Sequence, residues 1–193
     1  MYSPSLYQRC WQEFYETIFN VAPEKIPELP AAPDAELVLP LISLKDVTLK
    51  AIAKKVMGMS GERVKLESPT DGWFLPQMQR PIGNYIVFVR DHVSPDLKFE
   101  NQSLNWVKRQ KISAMTLKER LLFELFQRFM NKPPLDNGTW TLCNETPNSE
   151  GRIPAVGRQN GILEIQYVGL DFYSHIHRVR EVILRTGKQP SPK

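Results

Sequence analysis

The stretch from Thr116 to Met130, TLKERLLFELFQRFM, constrains this chain more than any other. Thr116 and Glu119 stand three apart just ahead of an apolar run. That is capping-box spacing, in which each side chain bonds the other residue's amide. Leu117, Leu121, Leu122, Leu125, Phe126 and Phe129 then recur at helical spacing and define one broad apolar face. A face this wide must be buried, so the helix is expected at the centre of the core. It carries no chemistry of its own.

The rest of the chain must supply what packs on that face. Hydrophobic residues make up 41% of the 193, enough for one ordinary globular core and too many for a disordered protein. Ser3-Pro4-Ser5 is a helix start, and Leu6, Tyr7, Trp11, Phe14, Tyr15, Ile18 and Phe19 follow at spacings of three and four. Residues 21–40 hold five prolines and are expected to form an extended connector. Ser43–Gly58 has the pattern of a second helix, with Ser43 as N-cap. The first 60 residues therefore read as an N-terminal helical arm, residues 61–187 as an α+β core and residues 188–193 as a disordered tail.

Within that core the period falls towards two. Arg63–Leu66 and Gly72–Leu75 are expected as short strands, and NYIVFVRDHV, from Asn84 to Val93, as the strongest one. It is too continuously apolar for an exposed edge. Ser103–Gln110 is expected to be a short capped helix. Strands are then expected at Thr139–Asn144, Ile153–Gly157 and Ile162–Val168. Asn160-Gly161 supplies the two positive φ angles of a type I′ hairpin turn. Pro154 early in its strand points to an edge position. Ile176, Val179, Val182 and Ile183 predict a final helix over His175–Leu184. The fold class expected is α+β, with a mixed or antiparallel sheet packed against the central amphipathic helix.

Several of these segments recur in order: NYIVFVRDHV, SLNWVKRQKISAMTLKERLLFEL, TWTLC, GRIPAVGRQNGILEIQYV and RVREVI. In this the chain resembles a group of bacterial hypothetical proteins with a VRD-type strand, a TLxERLL helix, a TLC strand and a GxxPxV hairpin. The resemblance spans residues 83–184. It implies one co-folded unit there and brings no catalytic residue with it.

Charge and cysteine content narrow the function. Seven of the 25 Lys and Arg but only three of the 21 Asp and Glu lie in residues 151–193, so the excess of +4 sits in that segment. Arg178, Arg180, Arg185 and Lys188 are its anion-binding candidates, on the expected last helix and tail, for a protein or nucleic-acid partner. Lys108, Arg109 and Lys111 extend the patch if the fold brings them near. Two cysteines make neither a disulfide framework nor a metal quartet, which points to reduced thiols and a cytoplasmic protein. No apolar run approaches the ~20 residues of a membrane span, and the N-terminus lacks the pattern of a signal peptide.

Catalytic patterns are sparse. His175 and His177 share one side of a strand but diverge on a helix, so the expected helix separates them. Asp171 is the one acidic residue near them in sequence. Arg90-Asp91-His92 places an acid and a base at a strand end, where a polar clamp on the next loop is the simpler role. Cys143 in a strand behaves as a small hydrophobe. No cofactor or metal motif is present. The expected function is a small non-catalytic binding or accessory protein, and the alternative is a metal-dependent or acid/base enzyme using Asp171, His175 and His177.

Overall fold

In a computed structural model, residues 3–33, 36, 38–58, 64–66 and 80–185 are described. The expected strand at Gly72–Leu75 and the expected tail at 188–193, Lys188 included, lie outside them. The chain is an α+β protein. Among the described residues there are four α-helices: α1 (Pro4–Phe19), α2 (Leu49–Met57), α3 (Leu104–Arg109) and α4 (Leu117–Phe129). The strands among them are β1 (Leu39–Ser43), β2 (Val64–Leu66), β3 (Tyr85–Val89), β4 (Trp140–Leu142), β5 (Arg152–Gln159), β6 (Ile162–Gly169), β7 (His177–Arg178) and β8 (Ile183–Arg185). A three-stranded antiparallel sheet runs β1-β3-β8, and a mixed five-stranded sheet runs β2-β6-β5-β4-β7. No helix among the described residues is long and apolar enough to cross a membrane.

The centre is α4. Its capping box forms as the sequence predicts: Thr116 Oγ1 accepts from the Glu119 amide, and Glu119 Oε2 accepts from the Thr116 amide at 2.8 Å. The helix packs on α2, β1 and β5. Leu121, Leu122, Leu125 and Phe126 join one cluster with Trp11 and Phe14 of α1, Ile52 of α2 and β3. The five-stranded sheet has apolar cover on both sides, because side chains alternate along a strand. Val156, Leu163 and Ile165 face the α4 cluster. Ile153, Ala155, Trp140 and Leu142 face a second cluster built on Leu104 and Val107 of α3.

The expected arm is packed into this core. The Trp11 indole lies parallel to Phe126, with ring centroids 3.8 Å apart. Two side chains of α1 also finish the free edge of β1. Trp11 Nε1 donates to the Pro40 carbonyl at 2.9 Å, and the Tyr15 hydroxyl donates to the Ile42 carbonyl. Pro40, paired in register with Phe88, therefore turns its bonding side to that edge, where a missing amide costs no ladder bond. Covering the edge in this way also blocks pairing with another chain.

Three expectations are corrected. The helix expected at Ser43–Gly58 starts later: residues 39–43 pair with β3, and Thr48 is the N-cap, its hydroxyl accepting from the Ala51 amide at 3.2 Å. The edge position expected for Pro154 is not found, since β5 lies between β6 and β4. The final helix over His175–Leu184 is absent, and extended backbone replaces it. β7 pairs with β4, Glu181 bridges Ala114, and β8 pairs with β3. Apolar residues three apart suit a helix, but here the Val182 amide donates to the Ser113 carbonyl and the Met115 amide to the Arg180 carbonyl. Pairing with distant chain outweighs the local preference.

Candidate functional site

The last segment was the expected anion site, and the structure disperses it. Arg178 donates to Glu100 at 3.4 Å, with most of its side chain covered. Arg185 is exposed at the end of β8. Arg180 is 1% exposed and turned inward, which corrects its expected place on a surface helix. Its guanidinium donates to the carbonyls of His92 and Val93, to Thr141 Oγ1 and to Asp136.

Arg180 belongs to a buried ionic network along the polar side of α4. Arg120 donates to Asp136 at 2.8 Å and to Glu124 at 2.9 Å, and Arg158 donates to Glu124 at 2.7 Å. Thr141 Oγ1 donates to Asp136 at 2.6 Å. Burial acts to raise the Asp136 carboxyl, but Arg120 and Arg180 outweigh it and hold the group below its ordinary value. Burial lowers the Arg180 guanidinium despite Asp136. With Arg128 3.6 Å from Glu124, four arginines share two carboxylates, and Arg120 Nη2 has no hydrogen-bond partner among the described residues. The Arg120/Glu124 spacing was visible in sequence. Nothing local marked Asp136, Arg158 or Arg180 as their partners.

His175, His177 and Asp171 are not gathered into one ligand group. His177 is buried, stacked on Trp140 at 5.5 Å and edge-on to Phe172 at 4.8 Å. Its Nδ1 pairs with Ser174 Oγ at 2.7 Å, and its Nε2 pairs with Gln166 Nε2 at 2.7 Å. Because the Gln166 amide nitrogen can only donate, Nε2 accepts and Nδ1 carries the proton. Burial, assisted by His175, lowers this imidazole to about 4, so it is neutral at physiological pH. Asp171 instead accepts from Asn105 Nδ2 at 2.9 Å, and His175 is exposed. No group of three or more His, Cys, Asp or Glu among the described residues is arranged to hold a metal ion.

In the strand-end triplet, Arg90 and Asp91 are both held in ion pairs. Arg90 pairs with Asp96 at 3.1 Å and Glu181 at 3.0 Å, clamping the following loop to the C-terminal segment. Asp91 accepts from Gln127 at 3.2 Å and Lys132 at 2.6 Å. Cys143 is fully buried, and burial pushes its thiol well above the ordinary value.

What the fold does assemble is a basic cleft of about 280 Å³, lined by Arg80, Lys108, Lys111, Ile112, Ser113 and Leu184. Residues 113–115 pair with the C-terminal segment, and this brings β8, through Leu184, to the cleft beside the end of α3. Arg80 is held in place by Glu119 (2.7 Å from its Nε), the Ala114 carbonyl (2.8 Å) and Ser113 Oγ (3.3 Å). The lysines are different: neither ammonium forms an ion pair or hydrogen bond with a described residue. Burial lowers Lys108, while Glu145 acts on it in the opposite sense from beyond ion-pair distance. Lys108 and Lys111 were visible in sequence as a basic run, but Arg80 carried no signal. No family model, no curated protein and no solved structure matches this chain.

Proposed function

We propose that this chain is a non-catalytic binding or accessory protein. It meets an anionic partner, protein or nucleic acid, through the face made by Lys108 and Lys111. One observation supports this reading: the cleft at that face is lined by Lys108 and Lys111, and neither ammonium has a carboxylate within ion-pair distance among the described residues. Cations without counter-ions repel one another and attract an anion, and a concave wall strengthens that field. Arg178 and Arg180 contribute less to such a surface, because Glu100 and Asp136 already occupy them. Two free cysteines agree with a cytoplasmic protein.

The test is a titration with mixed oligonucleotides and with polyglutamate at low and at physiological salt. Binding is expected at low salt, weakening as salt rises, because each neutralised anionic group releases counterions. Changing Lys108 and Lys111 together to Gln should flatten that salt dependence. Failure of both polyanions to bind at low salt overturns the reading.

A further inference from the structure

We infer that the cleft beside α3 receives the phosphate of a small phosphate monoester, with Lys108, Lys111 and Ser113 as its donors. The inference rests on the reading of this face as anion-binding and specifies the group it recognises.

Charge is the first argument. Glu119 sits 2.7 Å from the Arg80 guanidinium and neutralises it. Lys108 and Lys111 remain uncompensated by any described carboxylate within ion-pair distance. Two unpaired ammonium groups match a dianion. A phosphate monoester carries about −1.5 to −2 at neutral pH, whereas a carboxylate or a phosphodiester carries a single charge.

Donor geometry is the second. Ser113 Oγ accepts from Arg80 Nη1 at 3.3 Å. Its own proton is therefore directed away from Arg80 and is available to a ligand oxygen. Arg80 acts through Ser113 and the Ala114 carbonyl as a positioning residue, bracing the strip that forms one wall. Lys108 is half-buried with no ion-pair or hydrogen-bond partner among the described residues, a costly state for an ammonium, and a bound anion would relieve it.

Shape is the third. Ile112 and Leu184 give the cleft an apolar side suited to the carbon part of an ester. Its volume of about 280 Å³ lies just below the usual range of ligand sites, roughly 300–1,000 Å³, and suits a single phosphate group with a small substituent.

The experiment is calorimetric titration of the full chain at neutral pH and low salt, using phenyl phosphate, inorganic phosphate, diphenyl phosphate and benzoate. Phenyl phosphate should saturate one site, with inorganic phosphate weaker. The two monoanions should bind at least about tenfold less tightly, as expected for loss of one charge-assisted hydrogen bond. Lys108→Met and Lys111→Gln should each weaken phenyl phosphate about tenfold without lowering the urea midpoint, since neither ammonium pairs with a described residue. Equal affinity for monoester and monoanions, or no effect of either substitution, overturns the inference. Polyanion binding without phenyl phosphate binding overturns it too, yet leaves the proposed function standing. Absence of both removes both.

Discussion

Glu145 shows how a single residue links this fold to pH. It is 7% exposed, and its carboxylate accepts the Leu117 amide at the start of α4 at 2.7 Å. Burial raises the group from 4.5 to about 7, although the amide and the nearby cations Arg80 and Lys108 pull it down. The unfolded chain releases this proton near 4.5, so between 4.5 and 7 the folded protein holds one proton more. Its contribution to stability is therefore complete below 4.5 and is lost as pH rises through about 7. The loss is on the order of 3 kcal/mol. Glu145→Gln keeps an oxygen for the Leu117 amide and removes the ionisation. The variant should be the more stable protein at pH 8 and close to the parent at pH 4. Urea melts across that range check this, and a difference that stays constant with pH would refute it.

At the scale of elements, α4 and the β5–β6 hairpin were readable in advance because their signals are local. A capping box spans three residues, and the turn needs only Asn160 and Gly161, whose φ angles are 52° and 76°. Gln159 faces Ile162 across that turn, as a two-residue loop requires. Leu125 is fully buried against the α1 and α2 side of the core. Leu125→Ala should then cost about 2–5 kcal/mol, the ordinary range for emptying a packed site. A denaturation difference below about 0.5 kcal/mol would mean the site collapses around the change. Gly157 obeys a constraint no local pattern displays. A Cβ there would come within 2.5 Å of the Trp140 ring and of the Thr139 carbonyl, so the indole closes over a position that must stay bare. Trp140 and Gly157 are directly opposite in the β4–β5 ladder.

At the scale of the molecule, Asp136 joins segments far apart in sequence. Through Arg120 it reaches α4, through Thr141 it reaches β4, and through Arg180 it reaches the C-terminal segment and the carbonyls of His92 and Val93. Removing one member of a buried charged set strands the others without compensation. Asp136→Asn should therefore cost about 3–5 kcal/mol, and urea melts at neutral pH measure it. Replacing Asp136, Arg120 and Arg180 together by apolar residues of similar volume should cost less than the single change, because no isolated charge is left behind.

The sequence by itself determined the α+β class, α4 with its cap, the buried strand β3, α3 capped by Ser103, and the hairpin turn. Each depends on hydrogen bonds or side-chain periods that close within a few residues. Only the tertiary structure decided the course of residues 175–185, because an apolar pattern spaced by three fits a helix until chain far away offers backbone partners. Only the fold turned the polar face of α4 inward, since Arg120, Glu124 and Gln127 look like solvated residues until Asp91, Asp136 and Arg158 arrive. The basic cleft is of the same kind. Lys108 and Lys111 could be seen as a run, but Arg80 and Leu184 join them only when β8 pairs with β3 and residues 113–115 pair with the segment before it. Local bonding can be read from neighbouring residues. Burial and charge compensation depend on which distant segment supplies the partner.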